Sequence, residues 1–510
     1  MQNANLLTAE QLGKSARAVP ELLDVVIVGA GLSGVGAACH LKLKCPTKTV
    51  AVIEARDAIG GTWDLFRYPG IRSDSDMSTF GYSFRPWAHA KAIADGPSIV
   101  EYIRDTAKEF GVDRLIRFGR RLVRACWDST EGLWTLDIER KDGMGVRLAC
   151  RFLYICAGYY DYGHGYMPGW PGMERFAGRI VHPQDWPENL DCASKRILVI
   201  GSGATAVTLV PALAETAARV TMLQRSPTFV VARPAEDPIA AWLLRRLPRR
   251  AALALALARW KNIALQMYFY NFARRKPDKV RASLLKLAQG ELGSGFDAAS
   301  MFDARYNPWD QRLCLAPDGD LFRAIRTGKA AVVNGEIETF TETGLRLRSG
   351  ETLEADVIVT ATGLVVRLMG GAELVLDGER VEVGKRMTYK GVMLGGVPNF
   401  AFAIGYTNAS WTLKCDLSAD YVCRLLNHMD LRGYAVATPQ AKDGSVSEDA
   451  TLPLNSGYLQ RARALLPKQG SKQPWRMNQN YALDLLAYRF SAIEDGALAF
   501  RPRGPAQAAA

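Results

Sequence analysis

The sequence predicts an α/β protein made of two Rossmann-like dinucleotide-binding domains, with a helical insertion in the second. Three observations carry this. Residues 24–29 (DVVIVG) form a short β-branched run that ends in glycine and opens onto an Ala- and Leu-rich stretch. The same strand–glycine turn–helix order returns at residues 196–201 (RILVIG) and 204–218. The chain has 510 residues, more than one ordinary core holds, so two or three domains are expected.

The first unit continues through a helix over 34–44 to a second strand at 49–54 (TVAVIE), about thirty residues in all, as a βαβ opening requires. The second unit continues to a strand at 220–223. Two further strands that end in small residues, 152–158 (FLYICAG) and 356–363 (DVIVTATG), read as crossings between the domains. The expected division is a leader at 1–21, a first nucleotide domain at 22–158, a second at 159–355 with a helical basic insertion at 239–310, a return to the first domain at 356–500, and a disordered tail at 501–510. Residues 437–456 are polar and read as loop.

Composition narrows the class. With 48% hydrophobic and 23% charged residues the chain is globular. Its nine cysteines include no CxxC pair, which argues against a disulfide framework and against a redox-active cysteine pair. A reducing cytoplasm fits, and residues 1–20 lack the apolar core of a signal peptide. The run 251–258 is far shorter than the roughly 20 residues of a membrane span. The net charge of +12 is local: residues 245–286 hold twelve Lys/Arg against Asp278 alone. No nucleic-acid motif accompanies these cations, so no nucleic-acid partner is expected. A peripheral membrane contact through 245–286 is the alternative they raise. The aromatic residues Trp260, Tyr268, Phe269, Tyr270 and Phe272 are expected to line a substrate entrance or a lipid-facing patch.

The first glycine motif is Gly29-Ala30-Gly31-Leu32-Ser33-Gly34. Its glycines let the backbone approach a pyrophosphate at a helix N-terminus, and Glu54, twenty residues after Gly34, can accept from ribose hydroxyls. The second is Gly201-Ser202-Gly203-Ala204-Thr205-Ala206, answered by Gln224-Arg225-Ser226 where the first unit has Glu54. A cation and a hydroxyl suit a 2′-phosphate that a carboxylate repels. The first unit therefore fits FAD or NAD and the second fits NADPH. Flavoproteins reduced by NADPH include disulfide reductases, N-oxidases and Baeyer–Villiger enzymes. Only the first of these is excluded by the cysteines.

A third motif decides among the rest. Residues 176–187 (FAGRIVHPQDWP) match FxGxxxHxxxWP through Phe176, Gly178, His182 and Trp186, and residues 60–74 match GGxWxxxxYPGxxxD. Both resemble the signatures of class B flavoprotein monooxygenases of the Baeyer–Villiger type, and the resemblance covers roughly residues 22–500. It implies FAD and NADPH as cofactors, O2 and a small ketone or sulfide as substrates, and conversion of ketones to esters or lactones through a C4a-peroxyflavin, with sulfoxidation of thioethers. The alternative is an N/S-monooxygenase with little ketone activity.

The resemblance also implies roles. Arg312 is the cation beside the reacting oxygen, and Asp74 orients it. The FAD site takes Gly29, Gly31, Ser33, Gly34, Glu54, Thr62, Trp63, Asp64, Leu65, Asp74 and Leu122. The NADPH site takes Arg72, Ser73, Arg225, Ser226 and the second glycine motif. His182 is placed at the interdomain linker and is not a catalytic base. Many members carry lysine before the arginine; this chain has Gln311, which leaves more of the NADPH preference to Arg225 and Ser226.

Overall fold

The computed structural model describes residues 20–89, 91–441, 446–450 and 456–503. The expected leader lies outside these, apart from its last two residues. Strand β1 (Glu21–Val28) is buried from Val25 to Val28, helix α1 (Leu32–Lys44) follows the glycine turn, and β2 (Val50–Ile53) pairs parallel to β1. They join a nine-stranded sheet whose other side is an antiparallel meander of Arg120–Asp128, Leu133–Arg140 and Gly145–Ile155.

The second unit repeats the first. Strand β3 (Arg196–Ile200), helix α2 (Ala204–Ala214) and β4 (Arg219–Gln224) belong to a five-stranded parallel sheet with Ala330–Asn334, Val357–Thr360 and Arg179–Val181. Val357–Thr360 therefore lies in the second sheet, and the return to the first comes later than residue 356. It is made by Glu373–Leu376 beside Arg120–Asp128 and by Phe400–Phe402 beside Gly145–Ile155.

The insertion is helical as expected: α3 (Pro238–Arg246), α4 (Ala251–Arg275) and α5 (Pro277–Leu292). It is closed at its base by parallel pairing of Val230–Arg233 with Cys314–Pro317. Two expectations for the C-terminal part need correction. Residues 437–439 are not loop, because Tyr434–Pro439 pairs antiparallel with Leu498–Pro502, and Glu448–Ala450 pairs with Lys468–Gly470. Arg501 and Pro502 thus belong to a strand, fixed by stacking of Phe500 on Tyr434 with ring centroids 4.7 Å apart. The rest of the expected tail, from 504, and residues 442–445 and 451–455 lie outside the described residues.

The two crossings run side by side. Arg367 N–H donates to Tyr159 O (2.9 Å), Asp161 N–H to Val365 O (2.8 Å) and Tyr166 N–H to Gly363 O (3.0 Å). The His182 ring sits against this seam, with Nε2 3.1 Å from Gly363 O and Nδ1 accepting from Gln184 N–H. Burial pushes its pKa down, which favours the neutral ring this geometry uses. Phe176 packs under β3, a Cβ on Gly178 would stand 2.4 Å from Asp356 O, and Trp186 packs on the α2 side of the second core. Of the fingerprint residues, His182 reaches the seam, while Phe176, Gly178 and Trp186 pack within the second unit.

Candidate active site

The first glycine motif folds as its chemistry requires. Gly29 has φ +105°, and a Cβ there would stand 2.6 Å from Cys156 O; a Cβ on Gly34 would stand 1.8 Å from Gly29 O. Gly31 caps α1 with no side-chain hydrogen bond, so the first N–H groups of that helix are left for a ligand. The second unit matches it. Gly201 has φ +135°, with Ala361 O 2.3 Å from where a Cβ would be, and Gly203 caps α2 without a side-chain bond.

A cavity of about 530 Å³ begins at the first motif and ends at the second helix. Gly29, Gly31, Ser33, Glu54, Thr62, Trp63 and Leu122 line it on the first side. Gly34 lies beneath it as packing. Glu54 is buried, its carboxylate accepting from Ala30 N–H (2.7 Å) and Arg56 N–H (2.8 Å); burial pushes its pKa up. The Ser33 hydroxyl donates to Cys156 O at 3.2 Å.

Asp64 and Leu65 depart from expectation. The short helix Thr62–Leu65 turns only Thr62 and Trp63 toward this cavity. The buried Asp64 carboxylate instead takes Arg56 Nη2 at 2.8 Å and Arg104 Nη2 at 2.9 Å. Its part is to brace the loop.

From the second unit only Ala204, Thr205 and Thr208 reach the cavity. Gly201, Ser202, Gly203, Ala206, Arg225 and Ser226 lie outside it. The Ser202 hydroxyl donates to Ser226 O at 3.2 Å, so the glycine turn and the following strand end are joined. Arg225 is exposed and, among the described residues, pairs with no carboxylate. Arg72 and Ser73 line the cavity but already have partners: the Arg72 guanidinium is held by Asp320, and the Ser73 hydroxyl donates to Ser75 O (2.7 Å).

Between the two motifs stand Asp74 and Arg312. Arg312 Nη1 donates to Asp74 Oδ2 at 2.9 Å and Nη2 to Tyr406 O at 3.1 Å. Desolvation works against its charge, but the Asp74 carboxylate beside it raises its pKa above the ordinary arginine value. The tyrosines were not foreseen. Tyr159 and Tyr160 join through their hydroxyls at 2.8 Å, and Tyr159 stacks on Trp411 with centroids 5.0 Å apart. Their only sequence signal is position, directly after the crossing at 152–158. Burial pushes both phenols far up, so they are neutral donors beside a fixed cation.

Residues 23–262 match the family model of flavin-binding monooxygenase-like proteins. The FAD-containing monooxygenase EthA of Mycobacterium tuberculosis H37Rv is 52% identical over 484 residues, which cover 95% of this chain and 98% of EthA. The chain belongs to the flavin-binding monooxygenase-like family. It is a flavin-dependent monooxygenase. EthA of Mycolicibacterium smegmatis is likewise 52% identical, over 94% of this chain and 97% of the relative. Among solved structures, an oxidised steroid monooxygenase bound to NADP aligns with a TM-score of 0.75 at 24% identity, covering 94% of this chain and 100% of that one. An open cyclohexanone monooxygenase aligns at 0.73 and 18%, with the same coverage. At these identities the two structures speak for the fold alone.

Proposed function

We propose that this monooxygenase uses FAD, NADPH and O2 to convert ketones to esters or lactones and thioethers to sulfoxides. The observation that carries the reading is the Arg312–Asp74 pair, set within a cavity that joins two uncapped helix N-termini, each behind its own glycine turn. The first turn suits FAD, with pyrophosphate at the α1 N-terminus and a ribose at Glu54. The second suits NADPH, with Arg225 and Ser226 at the 2′-phosphate. Bound there, the two cofactors would supply hydride and an activated oxygen.

This chain's own residues then have three tasks. Arg312 holds a positive charge where negative charge collects on oxygen, and it needs no reorganisation because Asp74 and Tyr406 O already fix it. Tyr159, Tyr160 and Trp411 form an aromatic wall beside it that excludes water. The linker pairing at His182 keeps the domains in register, so that both nucleotides can reach one cavity.

The test is product analysis. Purified protein is given NADPH, isotopically labelled O2, and either a linear ketone or an alkyl aryl thioether. Ester carrying one labelled oxygen, together with sulfoxide, is expected. Sulfoxide without ester would restrict the enzyme to N/S-oxygenation, and neither product would overturn the reading.

A further inference from the structure

Helix α4 turns an apolar face to solvent. Leu253, Leu257, Trp260, Leu265, Tyr268 and Phe272 are all exposed, and their spacings of four, three, five, three and four residues put them on one side of the helix. The opposite side is packed through Arg259, Ile263 and Ala273, and Ala254 and Ala258 are buried at the edge of the stripe. This inverts the usual arrangement, in which charged residues take the outer face. The apolar surface continues past Trp260, whose ring lies 5.8 Å from Tyr481 at the start of the helix Tyr481–Phe490, where Leu483, Leu486 and Phe490 are also exposed. Contiguous apolar surface on this scale marks an interaction site.

The charge around it says what kind. Arg245, Arg246, Arg249 and Arg250 stand exposed at the N-terminal end of α4, and Arg275 and Lys276 at its C-terminal end. Among the described residues none of these six pairs with a carboxylate. A second copy of this chain would bring the same cations against themselves. A nucleic acid would answer the cations but leave the leucines and aromatic rings in water. Only an anionic lipid surface answers both, with headgroups at the arginines and acyl chains at the stripe. No helix among the described residues is long and apolar enough to cross a membrane, so the contact is with one leaflet.

We propose that α4 is a membrane-docking face that seats the enzyme on anionic phospholipid. The inner side of the same helix touches the two segments that carry the active-site pair. Asn262 Nδ2 donates to Asp76 Oδ1 at 2.8 Å and Arg259 Nη1 to Ser78 O at 3.1 Å, in the segment that carries Asp74. Tyr270 packs on Trp309 and Arg274 pairs with Asp310, in the segment that carries Arg312. Docking would therefore hold the cavity next to a store of apolar substrate. The aromatic residues of α4 do not line the cavity itself, so the entrance role expected for them gives way to the lipid-facing one.

The experiment is flotation of the FAD-loaded, full-length protein with vesicles of phosphatidylcholine alone or mixed with phosphatidylglycerol. Binding to the mixed vesicles, little to the neutral ones, and weakening with added salt are expected. Replacing Arg245, Arg246, Arg249 and Arg250 together by glutamine should lower binding by on the order of a thousandfold. Leu257→Ser with Phe272→Ser should lower it at unchanged salt dependence. Both variants should still oxidise NADPH with a soluble ketone, which shows that they are folded. Failure to float with anionic vesicles, or floating that neither variant reduces, would overturn the proposal. So would a concentration-dependent dimer that the Leu257→Ser, Phe272→Ser variant abolishes, because that assigns the face to a second copy.

Discussion

Arg312 donates to Asp74 across a sequence separation of 238 residues, Nη1 to Oδ2 at 2.9 Å, and the pair ties the base of the helical insertion to the loop that follows the first nucleotide unit. A second bond, from Nη2 to Tyr406 O, brings in the C-terminal part of the chain. One guanidinium thus joins three segments. It is aimed by groups that do not depend on a bound substrate.

If Asp74 only aims the arginine, Asp74→Ala should retain FAD and still oxidise NADPH, while ester formation falls by about tenfold, the worth of one charge-assisted hydrogen bond. Product formed per NADPH oxidised is the readout. Loss of FAD from the variant would show that Asp74 holds the cofactor loop instead.

Arg225 is exposed at the end of β4 and free of carboxylates among the described residues, as a 2′-phosphate ligand should be. Arg225→Ala should raise KM for NADPH by roughly ten- to a hundredfold and leave KM for NADH nearly unchanged. Equal losses with both coenzymes would make its role structural.

Gly31 and Gly34 should fail differently. A Cβ on Gly34 would stand 1.8 Å from Gly29 O, so Gly34→Ala should cost stability and lower Tm. On Gly31 a Cβ meets only the Gly61 backbone, Cα at 3.4 Å and N at 3.8 Å, and its φ of −79° suits alanine. Gly31→Ala should keep Tm near that of the parent apoprotein and lose FAD, because the methyl occupies the approach to the pyrophosphate. Normal FAD content in Gly31→Ala would contradict the placement of the cofactor.

Glu54→Gln should weaken FAD binding by about tenfold, read by titration of the apoprotein with FAD, since a carboxylate acceptor is replaced by a neutral one. An unchanged Kd would leave Glu54 as a loop brace between Ala30 and Arg56.

Much of this was legible in the chain because short-range rules set it. Both glycine turns announce strand, tight turn and helix within a few residues, and the structure places each as read. The fingerprint gave the resemblance but not its reason, which is long-range: His182 meets Gly363 only once both crossings are folded together. Asp64 and Leu65 were misplaced because adjacency in sequence does not fix which side of a short helix faces a cavity. Tyr159, Tyr160 and Trp411 escaped notice because tyrosine and tryptophan in a core look alike until a cation stands beside them. Val357–Thr360 reads as a strand from sequence alone, but its sheet is settled by its partners β3 and Arg179–Val181.

The central claim is that Arg312 serves oxygen insertion and not flavin reduction. The measurement is ester formed per NADPH oxidised in Arg312→Ala, with hydrogen peroxide assayed alongside. The account predicts retained FAD, slow NADPH oxidation, ester formation lower by on the order of 10²–10³, and hydrogen peroxide in place of the missing product. Ester at near-parental yield from Arg312→Ala would contradict it.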